Sequence, residues 1–147
     1  MPLYAGMTVN ERLVISGRIA DWDKAVAEWL LAHPAVATVN YAGLPGDKYN
    51  NLARKYAPKG AGAVFTFSLK GGYDAGVSLV SNLKLFSHLA NVGDTRSLVI
   101  HPASTTHSQL DDAAKVKSGA GPDVVRLSIG IEDKEDLIAD LDQALTA

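Results

Sequence analysis

Apolar and polar positions alternate most cleanly over AVFTFSL, residues 63–69. Ala63, Phe65, Phe67 and Leu69 point one way and Val64, Thr66 and Ser68 the other, which is the period of a half-buried strand. VATVNY (36–41) and DVVRLSIGIE (123–132) follow the same rule, the second with Val125, Leu127 and Ile129 on one face. KLFSHLA (84–90) and SLVI (97–100) predict two more short strands. The helical period runs through DWDKAVAEWLLAH, where Trp22, Val26, Trp29 and Leu30 fall together. Asp21 is placed to cap that helix, and Pro34 ends it, because the residue before a proline avoids the helical region.

DKYNNLARKYA (47–57) predicts a short helix stopped near Pro58 and Gly60, and DAGVSLVSNL (74–83) a helix with Val77, Val80 and Leu83 inward. Residues 108–122 hold a weak helix and a Gly-Pro loop. A last helix carries a capping signature, Asp133 with Asp136 three residues on, before Leu137, Ile138, Leu141 and Leu145. Residues 1–20 fit no element: LVISGRIA reads as strand or helical turn, and Gly17 weakens both. The sum is four or five strands with four helices. That predicts an α+β single domain, with helices packed on one face of a mostly antiparallel sheet.

Length and composition narrow the function classes. A chain of 147 residues suits one core, and 47% hydrophobic with 20% charged residues is ordinary for a soluble globular protein. A net charge of -2 gives no electrostatic reason to expect nucleic acid or an anionic membrane as partner. With no cysteine there are no disulfides, thiolate nucleophiles or zinc–thiolate sites. No apolar run approaches the roughly 20 residues that span a bilayer, and MPLYAGMTVNER lacks the basic start and long apolar segment of a secretory signal. Cytoplasmic localisation is the expectation.

The richest cluster of candidate chemistry is HPASTTH, residues 101–107. As a zinc site it fails on spacing: His101 and His107 are six apart, and no cysteine or nearby glutamate completes a set, so no metal is expected. As a hydrolase it lacks a G-x-S-x-G elbow and an acid placed to orient His107. Hydroxyls of this kind more often satisfy backbone groups in a loop. The remaining reading is one wall of a pocket finished by something outside this chain. His33, before a proline, is expected to contact the end of its helix, and His88 to pack. KGAG and KGGYDAG lack phosphate-loop spacing and read as turns. Taken alone, Arg126 reads as a strand arginine in a structural salt bridge.

Three blocks carry a resemblance: KYAPKGAGAVFTFSLKGG, LKLFSHLANVGDTRSLVIHPASTTH and VVRLSIGIEDKEDLIADLDQAL. In this order and spacing they resemble the C-terminal domain of the Cys/Met-metabolism enzymes that use pyridoxal 5'-phosphate (PLP), from about residue 24 to the end. SHLANVGDTRSLVIHPASTTH is most similar to the O-acetylhomoserine sulfhydrylase branch. Related lyases usually have Ser-Leu-Gly where this chain has Asn91-Val92-Gly93.

The resemblance implies a division of the chain into 1–20, a leader that does not match, and 21–147, a substrate-carboxylate domain. It implies that Arg126 binds the carboxylate of a small amino-acid substrate. A guanidinium suits that task, with two parallel donors and a charge kept at any working pH. Asn91 and Val92 match the pocket edge that meets the same carboxylate, and Thr106 matches a pocket-facing threonine. PLP and the Schiff-base lysine belong to a large N-terminal domain in the family. None of the lysines here lies in the serine- and threonine-rich context of that residue. The resemblance therefore implies no catalytic residue and no bound PLP on this chain alone, with the PLP-binding large domain as its missing partner. The implied reaction is a γ-replacement, in which acetate leaves O-acetylhomoserine and sulfide or a thiol adds, giving homocysteine or methionine. The competing expectation is a non-catalytic domain that self-associates or binds a partner through an apolar face the large domain would cover.

Overall fold

A computed structural model describes residues 9–91 and 93–147, with side chains from residue 21 onward. The chain runs α1 (Val9–Ala32), β1 (Val36–Asn40), α2 (Asn50–Tyr56), β2 (Val64–Leu69), α3 (Gly72–Asn82), β3 (Ser87–His88), β4 (Leu98–Ile100), α4 (Asp112–Lys117), β5 (Val124–Ser128) and α5 (Lys134–Leu145), with a 3-10 turn at Pro102–Ser104. The strands form one sheet in the order β1-β2-β5-β4-β3. Every pairing is antiparallel except β3 with β4. The α+β architecture with a mostly antiparallel sheet is as the hydrophobic pattern predicts.

The core lies between one sheet face and the helices. Phe65, Phe67, Val125 and Leu127 project from β2 and β5 onto Val26 and Leu30 of α1, Leu79 and Val80 of α3, and Leu137 and Leu141 of α5. Most of these side chains are at or near complete burial, where each aliphatic or aromatic group contributes about 1.5–3 kcal/mol by leaving water. Asp133 caps α5 as expected, its carboxylate accepting the Glu135 N–H at 3.0 Å. Among the described residues no helix is long and apolar enough to cross a membrane.

Four local expectations are corrected. Asp21 does not cap a helix, because α1 begins at Val9 and runs straight through it. Val77 is 38% exposed; the inward face of α3 is Gly76, Leu79 and Val80. KLFSHLA is not a full strand: the N–H groups of Lys84, Leu85 and Phe86 all donate to Asp140, so pairing begins only at Ser87. His88 is exposed and does not pack. His33 does lie against α1, its ring 5.0 Å from that of Trp29.

Candidate functional site

On β5 the buried positions are Val125 and Leu127, so the strand period turns Arg126 and Ser128 to the opposite face, away from the helices. Arg126 stands opposite Thr66 of β2 on one side and Ile100 of β4 on the other; Ser128 stands opposite Leu98. The segment after β3 crosses over this face and brings Leu89, Ala90 and Asn91 to the rim. Together these residues line a small cleft with Arg126 on one wall and Asn91 on another. Arg126 is half-buried, and among the described residues its guanidinium makes no hydrogen bond or ion pair. The structural salt bridge that a strand arginine suggests is absent there.

Asn91 is exposed, and its Nδ2 donates to Asp94 Oδ2 at 3.3 Å. Asp94 is held from the other side by Arg96, through Nη2 at 2.9 Å and Nε at 3.1 Å. The Arg96 guanidinium keeps the Asp94 carboxyl well below the usual carboxylate range. Arg126 and Asn91 thus share one cleft. Thr106 does not join them: it is exposed, and its hydroxyl lies 2.8 Å from His107 Nδ1. Val92 lies outside the described residues.

The histidine-and-hydroxyl stretch resolves into a structural corner. His101 is completely buried. Its Nε2 lies 2.7 Å from the Pro122 carbonyl, which can only accept, so Nε2 carries the proton. Nδ1 then accepts from the Ser104 hydroxyl at 2.9 Å. Thr105 Oγ1 donates to the His101 carbonyl at 2.9 Å. The ring meets Tyr73 edge-on at 5.0 Å and sits so close to α3 that a Cβ on Gly76 would lie 2.6 Å from it. Both ring nitrogens are engaged, which leaves His101 no free nitrogen for a metal or a nucleophile.

Sequence reasoning missed the polar groups that hold this region. Glu132 accepts from the Ser97 N–H at 2.8 Å and from the Ser97 hydroxyl at 2.7 Å. Asp140 accepts the backbone N–H groups before β3. Each lies in a charged run, EDKED or LIADLD, that reads as a solvated helix face. Only the tertiary fold separates the inward acids from the outward ones.

The family model described as "Cys/Met metabolism PLP-dependent enzyme" matches residues 17–146. O-acetyl-L-homoserine sulfhydrylase 1 of Thermus thermophilus is 57% identical over 120 residues, which are 82% of this chain and 28% of that protein. The homocysteine synthase of Schizosaccharomyces pombe is 48% identical over 121 residues, again 82% of this chain and 28% of the relative. Among solved structures, a putative O-acetylhomoserine (thiol)-lyase of Campylobacter jejuni, crystallised with N'-pyridoxyl-lysine-5'-monophosphate, superposes with a TM-score of 0.81 at 40% identity. That superposition covers 92% of this chain and 31% of the other. The chain spans less than a third of the length of these relatives.

Proposed function

Because the chain belongs to the Cys/Met metabolism PLP-dependent enzyme family, we propose that it is the C-terminal, carboxylate-holding domain of an O-acetylhomoserine sulfhydrylase. The whole enzyme would convert O-acetylhomoserine and sulfide or a thiol into homocysteine or methionine and acetate. The observation that carries the reading is the Arg126 guanidinium, without a hydrogen-bond or ion-pair partner among the described residues and half-buried in a cleft with Asn91 at its rim. A fixed cation with spare donors suits one small carboxylate, and Asn91 offers an amide beside it. Such a clamp contributes orientation, which can remove several kcal/mol from a barrier.

The residues of this cleft do not fit PLP itself. Among the described residues no lysine and no carboxylate lines it, so they offer neither a covalent anchor nor a partner for the ring nitrogen. The family's cofactor therefore belongs, in this reading, to a large domain that closes over the Arg126 face, and the chain alone does not turn over substrate. The test mixes purified chain with PLP, O-acetyl-L-homoserine and sulfide, with and without the PLP-bearing large domain of a relative. Homocysteine should form only in the mixture. Arg126→Ala should lower kcat/KM there by about 10²-fold, the loss expected when a buried charge pair loses one partner. Turnover by the chain alone, or an unchanged Arg126→Ala mixture, would refute the reading.

A second reading is favoured by one observation. α2 buries no residue, and Tyr49, Leu52 and Tyr56 stand 55%, 52% and 73% exposed along one side of it. Such a stripe suits a non-catalytic domain that self-associates. Sedimentation at high concentration separates the two: a strict monomer leaves only the carboxylate domain.

A further inference from the structure

Glu132 lies between β5 and α5, and its one carboxylate ties two separated pieces of chain. Oε1 accepts the Ser97 N–H at 2.8 Å and Oε2 the Ser97 hydroxyl at 2.7 Å. The Ser97 oxygen in turn accepts the Gly130 N–H at 2.8 Å. Ser97 is fully buried; its bond with Gly130 is made away from water and its two bonds with Glu132 are partly shielded, so none is easily replaced. The backbones meet closely here. A Cβ on Gly130 would fall on Thr95 and Arg96, and the Ile131 N–H donates to the Thr95 carbonyl at 3.0 Å.

The same carboxylate attracts Arg96 electrostatically. Arg96 grips Asp94, and Asp94 accepts from Asn91. A path of hydrogen bonds and one step of backbone therefore runs from Gly130 and Glu132 to Ser97, along the chain to its neighbour Arg96, and through Asp94 to Asn91. Its first member is two residues beyond Ser128, which lines the Arg126 cleft, and its last member is the rim of that cleft.

We propose that Glu132 is a positioning residue of the Arg126 cleft. It fixes residues 93–97 against the end of β5, and through Asp94 it holds Asn91 at the height where Asn91 and Arg126 face one small carboxylate. The proposal rests on the carboxylate reading of Arg126 given above. A carboxylate is required because both of its oxygens must accept. An amide at position 132 offers one acceptor and turns a donor toward the second contact.

The test uses the whole chain, isotope-labelled, as wild type, Glu132→Ala, Glu132→Gln and Ser97→Ala. In the absence of ligand, Glu132→Ala should move the side-chain amide signals of Asn91 and the Nε–H signal of Arg126. It should also speed amide exchange at Ser97 and Gly130 by roughly tenfold or more. Glu132→Gln should return the signals part of the way. Wild type titrated with O-acetyl-L-homoserine should shift the Arg126 signal, and Glu132→Ala should need about tenfold more ligand. If Glu132→Ala and Ser97→Ala lower the melting temperature but leave the Asn91 and Arg126 signals in place, Glu132 is a stabilising contact only and the proposal is overturned. Should Glu132→Ala fail to fold, Glu132→Gln and Ser97→Ala decide between the two roles from the same signals. An Arg126 signal that ignores the ligand in wild type refutes the carboxylate reading, while the ligand-free signals still decide the positioning role.

Discussion

Among the described residues two aspartates are buried, and they are treated in opposite ways. Asp140 of α5 is 8% exposed and receives the N–H groups of Lys84 at 3.0 Å, Leu85 at 2.8 Å and Phe86 at 3.3 Å. Asp23 of α1 is 0% exposed, and among the described residues neither carboxylate oxygen has a hydrogen-bond partner. It stands on the same stripe as Val26, Ala27 and Leu30. Burial pushes its carboxyl up from 3.8 to about 8; the Tyr41 phenol is pushed up first by its own burial and then by the charge of Asp23.

The difference lies in the backbone each acid meets. Asp140 faces an irregular segment whose amides have no strand partner. Asp23 sits in mid-helix, where the local amides are consumed by the helix itself. Had α1 started at Asp21, Asp23 would lie in the first turn, where free N–H groups and the helix dipole favour an acid. Twelve further residues of helix, Val9 to Ala20, remove that environment.

The largest break in the comparison comes from Asp140→Ala. It strips several charge-assisted bonds from the 84–86 segment and should cost about 4 kcal/mol, read from urea unfolding. Asp23→Ala should act in the opposite sense. Its carboxyl ionises near 3.8 when unfolded and near 8 when folded, so folding takes up a proton between those values. Wild-type stability therefore falls as pH rises from about 4 to about 8. Asp23→Ala should flatten that slope, with a gain of about 3 kcal/mol at pH 7 that vanishes below about pH 4. Unfolding at pH 4, 6 and 8 checks it, and parallel pH profiles for the two proteins would show that Asp23 is not the buried acid described. A smaller effect sharpens the satisfied side. Gly76→Ala drives a methyl against the His101 ring and should cost about 2 kcal/mol in the same assay.

The sheet core was legible in the alternation of residues 63–69 and 123–132 because one face of each strand is buried and the other is not. The α5 cap was legible because Asp133 precedes an apolar period. The inward face of α3 was legible only in part: Val80 is buried as expected, but the stripe is 76, 79 and 80, and its first member is a glycine, which carries no hydropathy signal but permits the approach to His101. The short strand at Ser87 was misread because Asp140, 56 residues after Lys84, takes the amides that a neighbouring strand would otherwise bond. Arg126 and Asn91 were found through a motif, and the fold gives them one cleft. Thr106 came from the same motif and stands outside it. Glu132 and Asp140, which accept backbone amides, were invisible as such, since a charged run looks alike whether a member points at solvent or at an amide.

The parallel pairing of β3 with β4 carries a consequence for how such a gene can change. The chain leaves β3 at His88 and must return to the same end before entering β4 at Leu98, and the first residues of that return, Leu89, Ala90 and Asn91, line the cleft that holds the arginine. A crossover this brief has no slack. Insertions and deletions should be tolerated among residues 108–122 but purged between 89 and 97, so a census of sequence lengths would pick out this connection without any coordinates.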